Sequence, residues 1–293
     1  MCAKRRFFQE IDTGSRPSTL FYMKRQRFEN AGLKLDKDRV LTYSQLSCPL
    51  DCEYCFVDDM NYNQKKNVAY LSVEQIELLK QLPEEINLIM LGCDTEFFQS
   101  KRNSIEILEE LSDLNKDISV ITKLSLSSDL IQKMKEVDHK LRQRGNFLTF
   151  SESIPCLDSS RLWEPRAPSP EKRIQTLRVA YENNLKTLVA IRLLLPTITD
   201  DELKKIISST KDYCFGYYSG PLYLKNLEHP LLETNHPVNL KKEKVQPEWM
   251  LDDNIFYKIE KDGQMDFLKN LLQEQGKPFF EGAADAIKYL KTL

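Results

Sequence analysis

Cys48, Cys52 and Cys55 crowd into eight residues, in the run Cys48-Pro49-Leu50-Asp51-Cys52-Glu53-Tyr54-Cys55. Three thiolates on one loop can face a single cubane iron–sulfur cluster, and no fourth protein ligand stands nearby in the sequence. Closed structural metal sites have four protein ligands, whereas a catalytic site keeps one position open. The spacing therefore predicts a four-iron, four-sulfur cluster with one iron left for the amino and carboxylate groups of a small molecule. The alternative is a zinc site completed by Cys93 or a distant His. Zinc pairs usually come with a second pair, however, and none appears. Crowded thiols in a reducing compartment point to metal or catalysis, not to disulfides.

The cysteines follow the first of six short apolar runs, at residues 39–43, 86–92, 118–123, 146–151, 187–195 and 213–218. Amphipathic stretches with recognisable starts lie between them. Ser72 ahead of Val73-Glu74-Gln75 makes a capping box before Ile76, Leu78 and Leu79. Ser104 precedes Ile105, Leu108 and Leu111 at helical spacing, and Ser128-Asp129 opens a stretch with Leu130, Ile131, Met134 and Val137. Ser169-Pro170-Glu171 offers an N-cap and an N1 proline, and Asp200 opens the last stretch. Strands alternating with helices imply right-handed βαβ units and a parallel sheet. Six units make an α/β fold, either a partial (β/α)6 TIM-like barrel or an open doubly wound sheet. The barrel is expected over residues 39–226, after a mixed N-terminal segment over 1–38. Residues 227–293 carry Pro230, Pro237, Pro247 and the basic run Lys241-Lys242-Glu243-Lys244. Helical pieces near 265–275 and 283–293 make this a helical C-terminal extension packed on the barrel.

A parallel barrel binds ligand at the C-terminal ends of its strands, so those ends should be polar. The second strand ends in Gly92-Cys93-Asp94-Thr95-Glu96, where carboxylates and a hydroxyl can hold an ammonium group or a ribose. The third ends in Thr122-Lys123, a cation suited to a carboxylate, and the fourth in Ser151-Glu152-Ser153. The fifth carries Arg192 and the sixth ends in Tyr217-Tyr218. Cys93 has a weak S–H bond able to quench a carbon radical, and Cys156 and Cys214 are alternative donors. His139, His229 and His236 have no suggestive neighbours.

The C-x3-C-x2-C spacing with an aromatic residue before the last cysteine resembles the signature of the radical S-adenosylmethionine (SAM) superfamily. Residues 39–226 further resemble its spore photoproduct lyase-like branch, at the triad, Cys93-Asp94-Thr95-Glu96, Lys123 and residues 151–173. The resemblance implies a [4Fe-4S] cluster on Cys48, Cys52 and Cys55 and SAM on its open iron. It implies reductive cleavage to a 5′-deoxyadenosyl radical and a reductant such as flavodoxin or ferredoxin. Cys93 then matches the cysteine that returns a hydrogen atom to the product radical, and Tyr54 is a retained tyrosine beside the cluster. Thr95, Lys123 and Ser151 match SAM-contacting positions, and Glu96 and Arg192 are further cofactor-binding candidates. The chain departs from that branch at Phe56, where photoproduct lyases carry a relay tyrosine, and its C-terminal DNA-binding region is not recognisable here.

The net charge of −2 gives no overall pull towards nucleic acid or acidic membranes. The first forty residues differ, with ten Lys or Arg against five Asp or Glu. No apolar run approaches a membrane span and the N-terminus lacks a signal peptide, so a cytoplasmic protein is expected. Two substrates compete: damaged DNA with spore photoproduct-like lesions, and a peptide or small metabolite enclosed by the C-terminal extension. The oligomeric state is open.

Overall fold

The computed structural model describes residues 19–60, 69–232, 239–251 and 253–293. Cys2, the Lys4-Arg5-Arg6 run, His236 and Pro237 lie outside them. The described residues open with helix α1 (Thr19–Asn30) and an antiparallel hairpin, β1 (Leu33–Asp36) and β2 (Arg39–Thr42). Five further parallel strands follow: β3 (Leu88–Leu91), β4 (Asp117–Thr122), β5 (Leu148–Ser153), β6 (Lys186–Ile191) and β7 (Tyr217–Ser219). Their helices are α2 (Val73–Leu79), α3 (Lys101–Leu111), α4 (Ser128–Arg142), α5 (Ser160–Trp163), α6 (Pro170–Glu182) and α7 (Asp200–Thr210). The strands lie side by side in chain order, the arrangement of a curled partial barrel. All six apolar runs are strands. β5 extends to Ser153, and β6 stops at Ile191, just short of Arg192.

Side-chain caps set the starts of α2, α4 and α7, whereas α6 begins on Pro170 without a side-chain cap bond from Ser169. Ser72 and Gln75 form both halves of the capping box on α2. Ser127, one residue before the expected start, caps α4, and Thr199 caps α7 by accepting from the Glu202 N–H at 3.1 Å. The helix α3 begins at Lys101, earlier than Ser104 suggests. Ser104 instead donates from within it to the carbonyls of Phe97 and Ser100, at 2.6 and 2.7 Å.

Strand alternation divides the sheet into two faces. Val40, Ile89, Leu91, Ile118, Val120, Leu148 and Phe150 turn outward onto the helix layer. Leu88, Met90, Ile121, Leu188, Ala190 and Tyr218 turn inward. A partial barrel leaves that concave face open, and the end of the chain fills it. Strand β11 (Phe279–Phe280) joins β7 in parallel, and α9 (Ala283–Leu290) lays Ala283, Ala284, Ala286, Ile287 and Leu290 against the inward residues. Ion pairs from Lys288 to Asp38 and from Lys291 to Asp117, both 2.7 Å, fix its far end at the N-terminal ends of the strands.

The C-terminal region is not only helical. β8 (Leu222–Leu224), β9 (Leu240–Val245) and β10 (Phe256–Lys261) form a separate antiparallel sheet before α8 (Gln264–Glu274). The basic run at 241–244 is thus an exposed strand. On α1, Arg25 pairs with Glu29 at 3.3 Å and donates to the Leu35 carbonyl at 2.7 Å, so part of the N-terminal basic charge holds the hairpin. Among the described residues no helix is long and apolar enough to cross a membrane.

Gly92 shows how tightly neighbouring strand ends approach. Its φ is +88°, and a Cβ there would stand 2.3 Å from the Ile121 carbonyl oxygen. Gly92→Ala should therefore cost more than about 1 kcal/mol. Urea unfolding would show this as a lowered midpoint at unchanged slope.

Candidate active site

A cavity of about 380 Å³ opens at the C-terminal ends of the strands, within the size range of small-molecule sites. Cys48, Cys52, Cys55, Tyr54, Cys93, Thr95, Glu96, Lys123 and Arg192 all line it. They come from the loop after β2, the loop after β3, and the ends of β4 and β6. Residues far apart in sequence meet here because neighbouring parallel strands end at one level.

The cysteine loop is held from two sides. On the first, the Asp94 carboxylate accepts from the Ser44 and Gln45 N–H groups at 3.0 and 3.1 Å. Burial pushes Asp94 up to about 6, with these backbone bonds opposing the shift. On the second, the Glu53 N–H donates to the Trp163 carbonyl at 3.0 Å, and the Tyr54 hydroxyl donates to Glu164. Glu164 in turn pairs with Arg173 at 2.6 Å, both side chains fully buried. Arg173 also donates to the Ser153 carbonyl at 2.9 Å, linking the loop to β5.

Thr122 Oγ1 and the Lys123 N–H donate to the two Glu96 oxygens at 2.6 and 2.9 Å, so Glu96 clamps the end of β4. Burial would lower the Lys123 ammonium, but Cys52, Glu164 and Glu96 outweigh it and push Lys123 up. Lys123 thus stays cationic, 5.6 Å from the centre of the Tyr54 ring. As free thiols, burial pushes Cys52 up to about 12 and Cys55 to about 11, so metal loading must release protons. Burial, then the Asp94 charge, pushes Cys93 up to about 12, which keeps its S–H intact. Three thiols, a fixed cation and the unpartnered Ser153 hydroxyl on one cavity are a donor set that fits a cluster with an amino-acid-bearing ligand.

The sequence profile of the Radical SAM superfamily matches residues 43–209, more than half of the chain. The chain belongs to the Radical SAM superfamily. Its cofactors are accordingly a [4Fe-4S] cluster and SAM, and the family requires a reductant. An uncharacterized protein of Methanocaldococcus jannaschii is 28% identical over 205 residues, 66% of this chain and 74% of the relative. SuiB of Streptococcus suis, in a structure bound to S-adenosylmethionine, superposes with a TM-score of 0.53 at 10% identity, over 72% of this chain. The chain spans about half the length of SuiB, 46% of it. Spore photoproduct lyase complexed with dinucleoside spore photoproduct gives a TM-score of 0.56 at 12% identity, covering 80% of this chain and 75% of that one. These likenesses show a shared fold.

Within this radical SAM protein some residues sit differently from the sequence-based expectation. Ser151 is buried on the concave face but does not line the cavity; its hydroxyl faces Tyr218. Ser153, two residues on and therefore on the same face, lines the cavity instead. Glu152 alternates to the helix side, fully buried among the charges of Arg173, Glu96 and Lys123. Arg192 lines the same cavity, with Cys93, Tyr218 and Tyr223 as the neighbours that feel its charge. Cys156 and Cys214 are buried and line no part of the cavity. Phe56 packs edge-on against Trp249 at 5.1 Å, and Trp249 is a cavity residue that no sequence signal picked out. Glu164 and Arg173 lay within the family-like run, but their pairing was not read. A charged residue at an inward helix position, as at Arg173, is the signal that could have found it.

Two outcomes follow from this geometry. Glu164→Ala leaves Arg173 buried without its partner and should lower stability by about 3–5 kcal/mol, whereas Tyr54→Phe should cost about 1–2 kcal/mol; denaturant midpoints measure both. Asp94 binds its proton more tightly folded than unfolded, so its contribution falls as pH rises from about 4 to about 6. Asp94→Asn should flatten that part of the stability–pH curve.

Proposed function

We propose that Cys48, Cys52 and Cys55 ligate three irons of the cluster, and that SAM occupies the fourth with its carboxylate towards Lys123. The observation that carries this reading is that the three thiols, Lys123 and Cys93 share one cavity. Bound there, the cluster and SAM supply a one-electron reductive cleavage. The protein's own part is to position and exclude. Lys123 offers a fixed cation, with Glu96 setting the turn that carries it. Thr95 and Ser153 present hydroxyls to the cofactor's polar groups, and Phe56, Leu193 and Trp249 keep water from the reacting end.

Cys93 is the hydrogen donor in this reading, which makes the enzyme lyase-like: its thiol lines the cavity, keeps its proton while donating to the Met90 carbonyl at 3.5 Å, and can return a hydrogen atom to a product carbon. Tyr54 serves the loop through its bond to Glu164, and a two-tyrosine relay is absent because Phe56 has no hydroxyl. Damaged DNA is the leading named substrate. The aromatic side chains Tyr43, Phe56, Tyr218 and Trp249 on the cavity wall suit a base taken out of its stack. A second reading, modification of a peptide or small metabolite, is favoured by Trp249, because the C-terminal region closes part of the mouth.

Protein reconstituted without oxygen, given SAM and dithionite, should form 5′-deoxyadenosine, and Cys52→Ala should lose both iron content and that activity. Activity retained by Cys52→Ala would remove the cluster assignment. Cys93→Ala should still cleave SAM but misdirect the product formed from irradiated DNA. An unchanged product spectrum would remove Cys93 as donor.

A further inference from the structure

Three cationic side chains line the cavity: Arg166, which pairs with Asp51 at 3.6 Å, and Lys123 and Arg192, whose neighbours differ. Lys123 stands among Cys52, Glu164 and Glu96, beside the cysteine loop. Arg192 continues the inward series Leu188, Ala190 of β6 and stands with the Cys93 thiol and the Tyr218 and Tyr223 phenols. β4 and β6 are separated by β5, which puts the strands that carry Lys123 and Arg192 roughly 10 Å apart across the sheet. The backbone around Arg192 is fixed, since the Leu194 N–H donates to the Gly220 carbonyl at 2.8 Å.

Among the described residues the Arg192 guanidinium has neither an ion-pair partner nor a hydrogen-bond acceptor. A guanidinium facing a partly enclosed cavity is favoured when a carboxylate or phosphate joins it, because the fork of N–H donors matches both. SAM has a single carboxylate, and Lys123 already answers it. Arg192 is therefore left over after the cofactor is seated, on the side of the cavity where Cys93 meets the substrate. An aromatic wall adjoins it: Trp249 stands edge-on to Tyr223 at 5.8 Å and to Phe56 at 5.1 Å.

We propose that Arg192, Tyr218 and Trp249 form the substrate subsite, and that the substrate is an anion. Its oxyanion, a carboxylate or a phosphate ester, seats on Arg192, and its apolar body lies along Trp249 and Phe56 beside Cys93. This assignment rests on the reading of Lys123 and the cysteine triad as the cofactor site, and it takes Arg192 out of that site.

The test uses anaerobically reconstituted, SAM-loaded protein titrated calorimetrically with phenyl phosphate, benzoate and the neutral benzyl alcohol. At least one anion should bind, and benzyl alcohol should not. Arg192→Gln should weaken that anion about tenfold or more, the loss expected for charge-assisted hydrogen bonds. Arg192→Lys should recover part of it, and SAM affinity should stay within about twofold in both variants. Binding of phenyl phosphate alone marks phosphate esters as the class, and of benzoate alone carboxylates. Failure of both anions to bind, equal binding of benzyl alcohol, or unchanged anion affinity in Arg192→Gln overturns the proposal. A selective loss of SAM affinity in Arg192→Gln also overturns it, by returning Arg192 to the cofactor. Unmodified protein that takes up no SAM refutes the cofactor reading, and the subsite with it.

Discussion

Glu164 and Arg173 meet where no water reaches either side chain, and most of the cavity's near wall depends on that meeting. Removing two charges from water costs several kcal/mol each, so such a pair persists only with close contact and further hydrogen bonds. Here Tyr54 and the Ser153 carbonyl supply them. A pair of this kind adds little net stability over apolar residues of the same size. What it contributes is placement: the cysteine loop, the start of α6 and the end of β5 can satisfy these charges together in one arrangement. Buried polar networks are costly when half satisfied, and this makes the loop's position close to all-or-none.

The same economy of faces governs the rest of the site. Along each barrel strand, alternate residues belong to the helix layer or to the concave side, and the last inward residue of each strand becomes a wall of the cavity. Lys123, Ser153 and Arg192 are reached by this rule from Ile121, Ser151 and Ala190. Glu96 and Asp94 play a different part. Their carboxylates are taken up by backbone N–H groups and a hydroxyl, so they shape the loops that carry the thiols and the lysine.

Much of this was legible in the residues because it rests on local signals. The triad spacing, the six apolar runs and the Ser72 capping box are each written within a dozen residues, and they returned the barrel and nearly all of its mouth. Ser151 was named from the family resemblance; the strand runs two residues further than its apolar run, and Ser153 on the same face is the serine that lines the cavity. Arg192 lines the mouth, but its neighbours Cys93, Tyr218 and Tyr223 were not legible, since strand order alone does not say which groups a long side chain meets. The β8–β10–β9 sheet was missed because β9 reads as a charged, solvated run and owes its strand form to pairing with β10. Trp249 and the Glu164–Arg173 pair depend on contacts between distant segments, for which periodicity offers no sign.

The helix α9 enters the hollow of the sheet from the end of the chain, and this has a consequence for biosynthesis. The six parallel strands leave the ribosome well before residues 283–290 do, yet the inward-facing Leu88, Leu188 and Ala190 have no cover until that helix arrives. During the interval, several seconds at ordinary rates of translation, the nascent sheet presents an apolar trough and an unpaired β7 edge. A chain cut short before residue 279 would keep that trough uncovered and the β7 edge unpaired.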